Sequence, residues 1–190
     1  MDSSYWDKRY KDNETGWDLN MVSPPLKIFI DTLKDKKLKI LIPGCGNAYE
    51  AEYLLKKGFT NVTLIDIASD LVKKLKEKFL GQEIRILNVD FFEHMETYDL
   101  ILEQTFFCAL HPALRQHYAT HCNELLNIGG RVVGLLFDTI FEQAGPPFGG
   151  TKEEYQKCFE PLFYLKQFDT SLHSVAPRQG RELFVEMEKK

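Results

Sequence analysis

The chain lacks the run of about 18 consecutive apolar residues that a membrane-spanning helix requires. Its first residues, MDSSYWDKRYKDNETGWD, also lack the apolar stretch of a secretory signal. The expected location is therefore the cytoplasm. Cysteine is sparse: Cys45, Cys108, Cys122 and Cys158 are scattered without Cys-x-x-Cys spacing, which argues for reduced structural thiols and against a disulfide framework. There is no basic excess either. Lys and Arg number 24 against 28 Asp and Glu, giving a formal charge of -4 with no basic stripe, so nucleic acid is not an expected partner. A small-molecule substrate fits this charge balance better.

What the chain does have is core material. Its 190 residues are 44% hydrophobic and 13% aromatic, enough for one domain spanning residues 1–190. Short β-rich runs at 39–43, 61–66, 84–88, 98–103 and 131–137 alternate with helical periodicity at 25–33, 48–57, 70–79, 113–127 and 152–159. Pro24 and Pro25 suit a helix start, Ser69 an N-cap, and Gly58 and Gly129 helix ends. Two last β-like runs, 163–170 and 182–188, suit an antiparallel return. This alternation predicts an α/β fold, a doubly wound, mostly parallel seven-stranded sheet of Rossmann-like type with an antiparallel C-terminal strand.

One glycine is missing where a dinucleotide site needs it. The first strand runs into Ile42-Pro43-Gly44-Cys45-Gly46-Asn47, and Tyr49 occupies the third position of the G-x-G-x-x-G fingerprint. That third glycine serves close packing beneath a pyrophosphate, so its absence disfavours a nicotinamide cofactor. Gly44 and Gly46 still suit close approach of a ligand to the backbone. Asp66 closes the second strand 22 residues after Gly44, where an acid accepts the hydroxyl hydrogens of an adenosine ribose. Asp90 and Phe91 follow the third strand, suited to an adenine amino group and ring face. Three strand ends thus point to an adenosine cofactor without pyrophosphate, S-adenosylmethionine.

Further motifs narrow the reading. Trp6-Asp7-Lys8-Arg9-Tyr10 with Trp17-Asp18, the glycine turn, Tyr98-Asp99-Leu100-Ile101, Phe106-Phe107-Cys108-Ala109-Leu110 and Gly145-Pro146-Pro147-Phe148 lie in order along nearly the whole chain. On these residues the chain resembles the thiol and halide methyltransferase branch of the thiopurine S-methyltransferase family. The resemblance implies an S-adenosylmethionine-dependent methyltransferase whose first 35 residues cover the cofactor, with Trp6, Tyr10 and Trp17 closing over it. Aromatic faces attract a sulfonium and exclude water. After the fourth strand that family often has tyrosine or arginine; this chain has Gln104, whose amide suits the methionine part of the cofactor.

No nucleophile and base pair stands out, and methyl transfer to a thiolate or halide requires none, since the sulfonium is already a good leaving group. Oxygen, nitrogen or metalloid acceptors, and a binding protein without catalysis, remain open at this point. His111, His117, His121 and Cys122 lack the carboxylate of a recognisable zinc motif and read as structural. Glu103 and His111 are the groups to test if an acid or base controls the step. Arg178 is a candidate at the substrate mouth or a solvated turn residue, and the 145–150 loop a candidate lid with Phe148 as its apolar wall.

Overall fold

The computed structural model describes residues 1–143 and 145–190. Its centre is β1 (Ile40–Pro43), flanked by β2 (Val62–Asp66) and then β3 (Ile84–Asn88). The chain next crosses to the other side of β1 and lays down β4 (Tyr98–Gln104) and β5 (Leu126–Phe137). Two strands finish that edge: β6 (Phe163–Thr170) outermost, and β7 (Glu182–Lys189) inserted between β5 and β6. The order is β3-β2-β1-β4-β5-β7-β6, with β7 antiparallel to both neighbours and the other pairings parallel. The expected seven strands and antiparallel last strand are therefore present.

Alternation along the central strands explains why helices cover both faces. Ile40 and Ile42 join one buried cluster and Leu41 the other; Leu100 and Leu102 face one way and Ile101 the other. The first cluster lies under α2 (Pro24–Thr32), α3 (Tyr49–Lys56) and α4 (Ser69–Lys78), through Leu26, Ile30, Leu54, Leu71 and Leu75. The second lies under α5 (Arg115–Glu124) and α6 (Lys152–Phe159), through Tyr118, Tyr155 and Phe159. Reversal of strand order at β1, with β2 on one side and the parallel β4 on the other, opens a crevice at the carboxyl ends of these strands, the place where doubly wound sheets hold ligands.

Several expected boundaries shift for identifiable reasons. The polar N-terminus, for which the sequence pattern predicts no element, forms α1 (Ser3–Lys11), capped by Asp2 through the Tyr5 amide at 3.0 Å. Helix α5 is shorter than 113–127: a 3-10 turn precedes it, and Leu126 already pairs with Tyr98 at the start of β5. Gly129, at φ +75°, thus sits in an irregular entry to β5 and not at a helix end, whereas Gly58 does follow α3 with φ +85°. Ser69 is the first helical residue of α4, and Ala68 at the N-cap has no side-chain cap to offer. That cap comes from another helix: Asp7 of α1 accepts from the Asp70 amide at 3.0 Å and from Ser69 Oγ at 3.1 Å.

Candidate active site

A cavity of about 240 Å³ opens where the crevice was expected, lined by the ends of β1, β2 and β4, the segment after β3, and α1. The nine residues singled out from sequence, Trp6, Tyr10, Trp17, Gly44, Gly46, Asp66, Asp90, Phe91 and Gln104, all line it. The floor is the glycine turn. Gly44 and Gly46 take φ of +53° and +51°, a region that favours glycine, and a Cβ on Gly44 would lie 2.3 Å from the Phe106 ring. Beyond it, the Gly46 amide donates to Asp66 Oδ2 at 3.2 Å, while Asp66 Oδ1 accepts from the Ala68 amide at 2.9 Å. Burial raises the Asp66 carboxyl to about 6 in spite of these hydrogen bonds.

Asp90 lies at the next strand end. Its Oδ1 caps the Phe92 amide at 2.9 Å, so it is a cap as well as a cavity carboxylate. Phe91 is 4% exposed, held edge-on against Phe106 and His121, and presents only a margin to the cavity. Phe92, which sequence reading passed over, also lines the cavity and stacks on His117 at 4.4 Å. His121 Nε2 pairs with the Phe91 carbonyl at 2.8 Å, so the two helix histidines brace this turn. Among the described residues no three His, Cys, Asp or Glu side chains converge as a metal site.

The roof is aromatic. One turn apart on α1, Trp6 and Tyr10 present the same face, and Trp17 meets their rings edge-on at 5.5 and 5.8 Å. Two distant contacts pin this segment. Asp18 accepts from Asn47 Nδ2 and, at 3.3 Å, from the Tyr49 hydroxyl, so the residue replacing the third glycine fastens the roof. Arg178 donates from Nη2 to the Trp17 carbonyl at 2.6 Å. This Arg is 8% exposed, paired with buried Glu182, and is not among the cavity residues; it is neither a mouth cation nor a solvated turn residue. A buried arginine after a proline-rich polar turn carries no sequence signal for a contact 161 residues away.

At the far end of β4, Gln104 has a buried Oε1 with no hydrogen-bond partner in the protein. Thr105 follows in the left-handed region at φ +62°, which turns Phe106 back over the glycine turn. Glu103 enforces that reversal. Buried at 1% exposure, its Oε1 accepts from the Phe106 and Phe107 amides at 2.8 and 3.0 Å and its Oε2 from the Tyr118 hydroxyl at 2.9 Å. It does not line the cavity, so Glu103 shapes the wall and is not placed to act as a base, although burial raises its carboxyl to about 7. Cys45 and Cys108 border the cavity with burial driving both thiols upward, which makes them poor nucleophiles.

The remaining wall is apolar: Phe92, Phe106, Leu110, Leu114, Pro146 and Pro147, with His111 beside them. The lid residues are thus the two prolines. Phe148 packs behind His111, ring centres 5.5 Å apart, and is not among the residues lining the cavity. His111 Nδ1 accepts from the Ala113 amide at 3.3 Å.

The cross-element cap on α4 yields a prediction. Asp7→Ala is expected to destabilise the fold by about 0.5–2 kcal/mol, the usual cost of a lost cap, and to free α1 from the roof. Denaturant titration and ligand dissociation rates check both; an unchanged dissociation rate would show that α1 is held without Asp7.

The site fits an S-adenosyl cofactor on structural grounds: an unsatisfied acceptor at Gln104, a carboxylate beyond the glycine turn and an aromatic roof suited to a cation. Comparison with known proteins agrees. A probable thiol methyltransferase 2 of Arabidopsis thaliana is 31% identical over 188 residues, covering 95% of this chain and 82% of that one. A thiocyanate methyltransferase 1 of Brassica oleracea is 26% identical over 184 residues, covering 93% and 81%. In fold, a Burkholderia thailandensis 1,6-didemethyltoxoflavin-N1-methyltransferase solved with S-adenosylhomocysteine superposes with TM-score 0.77 at 18% identity, covering 99% of this chain and 87% of that one. The Thiopurine S-methyltransferase family model matches residues 1–189. The chain belongs to the thiopurine S-methyltransferase family and is an S-adenosylmethionine-dependent methyltransferase of a small molecule.

Proposed function

We propose that the acceptor is a small soft anion, a thiolate or a halide, and that residues 1–190 form one domain whose first 35 residues cover the donor. The observation that carries this reading is the acceptor wall: six apolar side chains and a single imidazole, with no base paired to a nucleophile among the described residues lining it. The names of the relatives, thiol and thiocyanate methyltransferases, favour sulfur. Four buried free thiols suit a reducing, cytoplasmic setting.

In this reading Asp66 accepts from the ribose hydroxyls, Asp90 from the adenine amino group, and Phe91 with Phe92 borders the ring. Gly44 and Gly46 let the donor lie against the backbone, and Gln104 Oε1 accepts from its ammonium group. Trp6, Tyr10 and Trp17 shield its charge from water. The donor supplies an activated methyl group and a neutral leaving group. The wall residues align and desolvate the acceptor, which needs no deprotonation once it is an anion.

Thermal shift and turnover test this. S-adenosylmethionine and S-adenosylhomocysteine at 100 times their dissociation constants add about 2.7 kcal/mol, or about 5–10 °C for a chain of this size. Nicotinamide dinucleotides are expected to add nothing. The rate with a simple thiol should climb toward that thiol's own pKa, and the rate with iodide should stay flat. The same bell-shaped profile for both would instead implicate an enzyme group, with His111 the first to replace; turnover of neither would discard the soft-anion reading.

A further inference from the structure

Among the described residues, the acidic and basic side chains that line the cavity, the His111 imidazole apart, are all acidic. Asp18, Glu50, Asp66 and Asp90 line it, and no Lys or Arg does among the described residues. Two of these carboxylates are deeply buried: Glu50, whose Oε1 accepts from the Ser23 amide at 3.0 Å, and Asp66. Burial raises both carboxyls above their usual range. Cations in the surrounding shell are committed elsewhere. Arg178 holds the Trp17 carbonyl and Glu182, Lys78 the Asn47 carbonyl and Glu52, and Arg115 the Gly149 carbonyl. Met1, which also lines the cavity, carries no charged side chain. Arg9 lies over the Trp17 ring, 5.3 Å from its centre, but is not among the residues lining the cavity and donates to the Glu14 carbonyl.

We infer that this protein has no anion site of its own: the acceptor site becomes able to hold an anion only when a cationic donor occupies the cavity, and loses that ability once the methyl group has left. The inference rests on the soft-anion acceptor proposed above. Four carboxylates repel a thiolate or halide from the empty cavity, and a low-dielectric surround strengthens that repulsion. The same carboxylates attract a sulfonium. In the transfer, an electron pair of the acceptor forms the bond to the methyl carbon while the carbon–sulfur pair returns to sulfur. One anion and one cation become two neutral molecules. The thioether product leaves the cavity with its acidic lining and no compensating charge, so a second anion is not captured and no dead-end complex forms.

The test is anion binding at constant ionic strength, by calorimetry, with iodide as probe and chloride or acetate as the balancing salt. Three forms are titrated: ligand-free protein, the S-adenosylhomocysteine complex, and the sinefungin complex, whose protonated amine stands where the sulfonium stands. Iodide is expected to bind the sinefungin complex about tenfold or more tightly than the other two. Equal affinity in the S-adenosylhomocysteine or ligand-free form overturns the inference, as does an absence of binding to the sinefungin complex at iodide concentrations that saturate turnover. Methyl iodide formation, measured in parallel, separates the two layers. Turnover with equal affinities leaves the soft-anion reading standing and removes only the charge dependence; no turnover with iodide, thiocyanate or thiols removes both.

Discussion

Replacing Asp66 by Asn is expected to weaken donor binding about tenfold or more, the loss that follows from removing a charged acceptor worth about 1.5–3 kcal/mol, while the unliganded protein at pH 7 exchanges the cost of a buried charge for one lost amide contact, since Asn offers a single acceptor to the Gly46 and Ala68 amides. The second half follows from burial. Burial pushes the folded carboxyl up to about 6 from its ordinary 3.8, so between these values the folded state holds a proton that the unfolded chain has released. Stability is thus higher below this window and falls as pH rises through it, by up to about 3 kcal/mol for a shift of about two units. Asn removes the charge that causes this. Donor affinity runs the other way: ribose hydroxyls need the ionised carboxylate, so affinity falls as pH drops below about 6 in the native protein and stays flat in the variant. Calorimetric titration from pH 5 to 8, with melting curves over the same range, measures both. Native-like affinity in a folded Asp66→Asn protein would assign the residue to the glycine turn alone.

Arg178→Met is expected to have the largest effect on the fold. It strips the guanidinium from Glu182, a carboxylate 3% exposed and already raised by burial, and leaves a buried charge uncompensated at a cost of about 3–5 kcal/mol. It also frees the Trp17 carbonyl, and with it the centre of the roof. These consequences separate in the double variant Arg178→Met/Glu182→Gln. Neutralising Glu182 should recover much of the stability, whereas the lost anchor on Trp17 should keep donor affinity low. Denaturant midpoints and donor dissociation constants for both variants settle the matter. Recovery of stability and affinity together would mean that Arg178 serves only Glu182.

Much of the site was legible because it lies at strand ends. Gly44, Gly46, Asp66 and Gln104 are placed by the buried strands β1, β2 and β4, and Asp90 follows the half-exposed edge strand β3; a parallel sheet brings such ends to one edge. The aromatic roof came from likeness to a family and not from periodicity. Helix α1 has no fully buried residue, so its sequence carries no apolar stripe; it is stabilised by its Asp2 cap and by docking through Asp7. Phe92 was passed over because an aromatic beside Phe91 does not reveal which ring faces the opening. Phe148 was misjudged for the same reason: within Pro146-Pro147-Phe148, only the folded loop decides which side chain points inward.

Composition and local order alone determined the element types, the parallel sheet with its antiparallel last strand, and the strand ends that face a ligand, because burial periodicity and glycine stereochemistry act within a few residues. Tertiary structure decided the rest: that Asp7 caps a helix 63 residues away, that Tyr49 and Arg178 pin the roof, that Glu103 ties a turn instead of lining the cavity, and that the lining carboxylates face one cavity with no Lys or Arg lining it among the described residues. Hydrogen bonds and desolvation depend on which groups meet in space, and in this chain the roof near one end of the sequence is held by an arginine near the other.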